Sequence, residues 1–166
     1  SAMPRQLLAA LLLFAIPSPK LLAQAPTAAP ERWLKGNLHT HSLWSDGNDF
    51  PEMIVDFYAK RGYQFLALSD HNTLGQGEKW FDVEAAEKRA KAPALARYKA
   101  RFGDAWVETR TANGKSQVRL KPLNEYRALF EKASEFLLIQ GEEITDRFEK
   151  KPIHMNATNL QELIKP

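Results

Sequence analysis

The sequence contains no cysteine, which excludes disulfides and thiolate metal sites together. That absence does not fix a redox compartment, because many exported proteins also do without disulfides. There is no serine elbow motif, no internal repeat, and no low-complexity stretch beyond "APTAAPE". No apolar run reaches the ~20 residues a membrane-spanning helix requires. Net charge is scarce too. The chain carries a formal +3, and Arg5 and Lys20 supply two of those charges, so residues 26–166 stand at +1. A near-neutral body gives no strong nucleic-acid signal. Histidine is the last scarcity, with only four in 166 residues, and their placement is correspondingly informative.

The N-terminal segment has the layout of an export signal. Arg5 is the positive n-region and "LLAALLLFAI" the apolar h-region. Pro17 and Pro19 break the run, and Ala23 and Ala25 stand at cleavage-site spacing. Residues 1–25 are therefore read as a signal peptide and 26–31 as a linker. The protein is expected to be exported, periplasmic or secreted, with no transmembrane segment in the mature chain. Residues 32–166 are long enough for one domain with a substantial core.

Within that domain "RWLKGNLHT" reads as a first strand. "PEMIVDFYAKRG" reads as a helix with Met53, Ile54, Phe57 and Tyr58 on one face, Pro51 at its start and Gly62 just past its end. "YQFLALS" fits a buried strand, so strand, helix and strand imply a right-handed βαβ unit with parallel strands. Residues 74–121 have a different texture and read as an insertion. It holds alanine- and charge-rich helix interrupted at Pro93, then a hairpin turning at Asn113-Gly114. Beyond it, "PLNEYRALFEKAS" is a helix, "EFLLIQGEE" a buried strand, "KPIHMNA" a fourth short strand, and "NLQELI" the start of a final helix.

The four histidines then fall into a pattern. On an extended strand residues i and i+2 point to the same side, so His39 and His41 in "GNLHTHSLWSDG" aim at one space. The Ser45-Asp46-Gly47 turn can return a carboxylate to it. His71 follows the second strand in "LALSDHN", Glu143 closes the third, and His154 lies in the fourth. All four thus lie at or near strand ends, with acids at three of the same places. In parallel α/β folds ligands bind beyond the carboxyl ends of the strands, so one shared metal site is expected.

These motifs, "NLHTHSLWSDG", "ALSDHNT", "GEEIT" and "HMNA", resemble those of the PHP (polymerase and histidinol phosphatase) family over about residues 34–158, the insertion excluded. The resemblance implies the front part of a distorted (β/α)7-type barrel, an α/β fold, here with a helix plus β-hairpin insertion. It implies two or three divalent metal ions and metal-dependent hydrolysis of a phosphomonoester or phosphodiester by a metal-activated hydroxide. Under it His39 and His41 hold the first metal, while Asp46 and His71 hold one at the opposite side. Glu143 bridges two metals and His154 completes the bridged one. Glu143 and His71 are the catalytic candidates. Asp70 is expected to orient a ligand rather than bind metal, and Glu142 to be exposed. Mixed histidine and carboxylate ligation suits Zn, Mn or Fe.

The resemblance also implies a further histidine and an Asp-x-His pair after His154, which this sequence does not contain. This chain is therefore expected to be an incomplete hydrolase with little activity alone. A small phosphate ester is the expected substrate. The other readings are metal-dependent cleavage of a non-phosphate bond and a non-catalytic metal- or ligand-binding module. Arg110, Lys115, Arg119 and Lys121 around the hairpin are candidates for a substrate phosphate, with a solvated face the simpler reading. Trp44 is as well explained by packing as by stacking on a ligand, and Trp80, Phe81, Phe102 and Trp106 are expected to anchor the insertion. Lys88, Arg89, Lys91, Arg97, Lys99 and Arg101 read as solvated helix faces.

Overall fold

The run "YQFLALS" supplies β2 (Phe65–Leu68), whose last three residues are buried. The computed structural model describes residues 31–166; the signal-peptide reading and most of the linker fall outside them. Strand β1 (Gly36–Asn37) pairs parallel with β2 on one side. On the other side β6 (Leu137–Phe148) pairs parallel with it, from Phe65 opposite Leu137 to Leu68 opposite Gln140. The expected βαβ connectivity is therefore present, with α1 (Pro51–Ala59) between β1 and β2. The first strand is shorter than expected for a local reason. Asn37 Oδ1 accepts the His39 N–H at 3.0 Å and Asn37 Nδ2 donates to Thr40 Oγ1 at 2.6 Å, so a side-chain turn replaces the ladder.

The fourth strand, β7 (Lys151–Thr158), runs antiparallel to β6, with His154 opposite Thr145 and Asn156 opposite Glu143. Only Glu149 and Lys150 separate the two strands. Two residues can close a hairpin, whereas a parallel crossover takes about a dozen or more. His154 thus lies mid-strand and not at a strand end. The expected final helix does not form among the described residues. The tail is held to the sheet instead, Asn159 N–H donating to Gln140 O at 2.7 Å and Ile164 N–H to Glu142 Oε2 at 3.0 Å. Glu142, expected at the surface, is fully buried. Alternation along β6 puts it on the face opposite Glu143, and the returning tail covers that face.

Helix α1 buries two acids. It buries Pro51, Glu52, Val55 and Asp56, while Phe57 is 47% exposed. Two acids can occupy the buried face because partners arrive from elsewhere in the chain. Tyr98 Oη donates to Glu52 Oε1 at 2.6 Å, and Trp106 Nε1–H donates to the same oxygen at 3.0 Å. Arg101 and Lys60 pair with Asp56 at 2.6 and 2.7 Å.

Most of those partners belong to the segment read as an insertion. It comprises β3 (Lys79–Asp82), α2 (Val83–Ala90), α3 (Ala94–Phe102), β4 (Thr109–Ala112) and β5 (Lys115–Leu120), with sheet order β3-β5-β4. The hairpin turns at Asn113-Gly114, both at positive φ (51° and 72°), as its shortest connection requires. Strand β3 escaped the sequence reading because "KWFD" is too short to show a period. Two apolar clusters follow. One joins α1, β2, α4 (Leu123–Phe130) and β6 through Val55, Leu66, Tyr126 and Leu138. The other joins the insertion to the loop after His41 through Leu43, Phe50, Tyr98 and Val118. Phe102 and Trp106 pack against both, and Phe81 against the second, as anchors.

The basic residues of this region are structural. Arg119 pairs with Glu125 at 2.5 Å and Glu108 at 3.0 Å, Lys115 with Asp82 at 2.9 Å, and buried Lys121 with Glu108. Arg110 lies over the Trp80 ring, 4.2 Å from its centroid. Arg89, Arg97 and Arg101 are not merely solvated: they bond Ser45 O, Asp49 and Asp56 respectively. Trp44 is buried, its Nε1 donating to Lys121 O at 3.1 Å, which settles it as a packing residue. Among the described residues no helix is long and apolar enough to cross a membrane.

Candidate metal centre

Backbone pairing beyond the strands brings the donors together. Ser69 N–H donates to Thr40 O at 2.9 Å, which keeps the segment carrying His39 and His41 beside the end of β2. Glu143 N–H donates to Asp70 O at 3.2 Å and Asn72 N–H to Glu143 O at 3.1 Å, so His71 lies directly beside Glu143. β7 then delivers His154 from the far side of β6. His39 and His41 do point to one side, their Nε2 atoms 3.1 Å apart.

Glu143 is the focus. Its Oε2 lies 2.8 Å from His41 Nε2, 3.2 Å from His39 Nε2 and 3.2 Å from His71 Nδ1. That oxygen is buried and nevertheless has no hydrogen bond of acceptable geometry. Its other oxygen, Oε1, lies 2.7 Å from His154 Nδ1. Burial alone would push the Glu143 carboxyl up, but the His154 bond and the nearby His39 and His71 imidazoles hold it below the ordinary glutamate range. Asp46 is more open. Its Oδ1 lies 2.7 Å from His41 Nδ1 and its Oδ2 3.4 Å from His71 Nε2. Partial burial opposes ionisation there, and the His41 bond and both imidazoles outweigh it, so its pKa is also lowered.

Three groups emerge whose ligand atoms lie within 4.8 Å of one another: His39, His41 and Glu143; His41, Asp46 and His71; His71, Glu143 and His154. Each could hold a metal ion. An orphaned buried carboxylate oxygen among three imidazole nitrogens is the arrangement a cation would complete. An imidazole ordinarily gives one nitrogen to one metal, so His41 and His71 cannot serve all three groups at once. The first and third groups share only Glu143, whose two oxygens can bridge. All six sequence-predicted ligands are thus brought together, and His39 and His154 leave the site open to solvent.

Asp70 does not reach the donors. It is buried and accepts from Ser42 N–H at 2.8 Å, Ser42 Oγ at 2.7 Å, Ser45 N–H at 3.0 Å and Ser45 Oγ at 2.6 Å. These four bonds fix the turn between His41 and Asp46. Gly47 closes the same turn, where a Cβ would lie 2.5 Å from the backbone of His41 and Ser42. Asp70→Asn should therefore lower metal affinity by roughly 10- to 100-fold, as loss of an orienting partner does, without removing a ligand. Competition with a chromophoric chelator would measure it, and unchanged affinity would refute the orienting role.

Three site residues had no sequence reading. Thr145 Oγ1 lies 2.5 Å from His71 Nδ1. It stands two positions after Glu143 on one strand, so strand alternation could have found it. Asn156 Nδ2 donates to Leu38 O at 2.7 Å, tying β7 to the first histidine motif, and Asn37 orders the backbone at His39. Neither asparagine carries a signal that the sequence alone makes visible.

No family model matches the chain. Over 58 residues it is 34% identical to the DNA polymerase/3′-5′ exonuclease PolX of Bacillus subtilis (strain 168), a match covering 35% of this chain and 10% of that protein. The chain thus matches only about a tenth of that relative's length. Partial similarity to a nuclease and a set of histidine and carboxylate donors are together compatible with metal-dependent hydrolysis.

Proposed function

We propose that this chain carries the metal centre of an exported phosphoesterase built on the front part of a PHP-type barrel. One observation carries the reading: the buried, unbonded Glu143 oxygen facing nitrogens of His39, His41 and His71. The parallel order β1-β2-β6, with His39, His41, Asp46 and His71 beyond the ends of β1 and β2 and Glu143 further along β6, supports the fold. The relative named a 3′-5′ exonuclease supports a phosphate ester as the bond cleaved.

In this reading His39, His41 and Glu143 hold one cation and His71, Glu143 and His154 a second. When bound, such cations neutralise phosphate charge and lower the pKa of water. The protein's own residues supply the rest. Thr145 fixes the orientation of the His71 ring, and Asp70 fixes the turn that carries Asp46. Asp46, largely exposed beside His41 and His71, is placed to complete the middle donor group at the rim. No side chain has to act as nucleophile.

The test is removal of metal by a chelator, then return of Zn, Mn or Fe(II) singly while a panel of phosphomonoesters and diesters is assayed. Activity should disappear and be restored by at least one of these ions, with inorganic phosphate as inhibitor. Tight metal binding without turnover of any ester would favour a binding module. Amide cleavage indifferent to phosphate would move the chemistry to another bond.

A further inference from the structure

Beside Asp70 the two apolar clusters meet around a small cavity. Trp44 lines it from one cluster and Leu123 from the other, and both are buried. It admits a water-sized sphere over about 10 Å³, close to the least that one water molecule needs. Apolar walls alone would keep such a space dry. Here Asp70, Thr73, Tyr126 and Gln140 share the lining.

The hydrogen bonding of these four is unfinished. Tyr126 is only 2% exposed, yet among the described residues its hydroxyl has no hydrogen-bond partner. Burial, then the charges of Glu52 and Asp70, raise its pKa well above the ordinary tyrosine value, so it keeps its proton and can donate. Thr73 Oγ1 accepts from Gly75 N–H at 3.2 Å and has its own proton to give. Gln140 Nε2 donates to Leu74 O at 2.6 Å, which leaves the amide oxygen as an acceptor. Asp70 Oδ1 takes three bonds from Ser42 and Ser45, whereas Oδ2 takes one, from Ser42 Oγ at 2.7 Å. Two donors and two acceptors around one small space are the complement of a water molecule, which accepts two bonds and donates two. A buried hydroxyl left unbonded would be the exception in a native protein.

We propose that this cavity binds one water molecule, which links the Tyr126 hydroxyl to Asp70 Oδ2 and makes Tyr126 a positioning residue for the turn that carries Asp46. Asp70 is the middle member of the chain. On one side it fixes that turn, and on the other the water fixes the plane of its carboxylate. Helix α4 supplies no metal donor and bears on the centre through this water. The effect on cation binding rests on the metal-centre reading, and the water site does not.

Two measurements on the full chain test it. A crystal structure at a resolution that orders buried waters should show one water bonded to both Tyr126 Oη and Asp70 Oδ2. No water there, or one bonded to only one of the two, overturns the proposal. Tyr126→Phe keeps the ring and removes the hydroxyl. In this variant the Ser42 and Ser45 amide hydrogens, which Asp70 Oδ1 accepts, should exchange with solvent roughly 3- to 10-fold faster, the range for one lost hydrogen bond. Affinity for Zn, read by competition with a chromophoric chelator, should fall by a similar factor. A change in packing would act whether or not Asp70 is intact, so the affinity loss should vanish in an Asp70→Asn background. Unchanged exchange, unchanged affinity, or an equal affinity loss in both backgrounds overturns the proposal. If the wild-type chain binds none of Zn, Mn or Fe(II), the metal-centre reading falls, and the water and the exchange rates decide the proposal alone.

Discussion

Glu143→Gln should yield a folded protein that has lost at least one bound cation and about 10³-fold in kcat/KM, some 4 kcal/mol of transition-state stabilisation. The substitution preserves size while removing the negative charge at which His39, His41, His71 and His154 converge. Both cation positions proposed above use this carboxylate, so no other single residue should matter as much. Metal content by mass spectrometry is the decisive readout because it does not depend on the choice of substrate. A melting temperature within roughly 4 °C of wild type would separate loss of the site from loss of the fold. Unchanged metal stoichiometry would remove Glu143 from the centre.

The second large effect lies away from the metals, at Glu52. Burial drives its carboxyl up to about 7, against the bonds from Tyr98 and Trp106, and its Oε2 is buried without any partner. Because the folded-state pKa lies above the ordinary glutamate value of 4.5, the folded protein binds this proton more tightly than the unfolded chain does. The associated stability is fully present below about pH 4.5 and is lost as pH rises through about 7. The difference across that window is roughly 3 kcal/mol. Glu52→Gln keeps an oxygen for Tyr98 and Trp106 and cannot ionise. Chemical denaturation at several pH values should therefore show wild type losing stability relative to Glu52→Gln between pH 5 and 8. Parallel curves for the two proteins would mean that folding does not raise the Glu52 pKa. The comparison cancels groups common to both, including the paired carboxylates whose pKa values are lowered, such as Asp56 and Glu125.

What could be read from the sequence divides along physical lines. Local signals worked: the Asn113-Gly114 turn, Pro51 and Gly62 around α1, and the buried run of β2 all report interactions within a few residues. The donor set was also legible, because His39 and His41 depend only on backbone alternation and because histidine is rare in this chain. Nonlocal arrangement was not. The direction of β7 depends on how few residues join it to β6, and a short apolar motif says nothing of direction. Glu142 looks exposed until the chain from Asn159 to Ile164 returns over it. The burial of Glu52 and Asp56 on α1 was not legible because they are stabilised by Tyr98, Trp106 and Arg101, some 45 to 54 positions away. Amphipathic pattern alone cannot anticipate partners so distant.

The contacts of Lys79 with Trp44 O and of Arg89 with Ser45 O give the inserted segment a meaning beyond decoration. It works as a splint, gripping from outside the turn that Asp70 grips from within. A transplant of the histidine-bearing loop into another scaffold would have to bring this splint along, and an excision meant to shrink the molecule would release the Asp46 carboxylate before it disturbed Glu143. The dispensable-looking stretch between the two signature motifs is thus part of the tooling that keeps the chelate in shape.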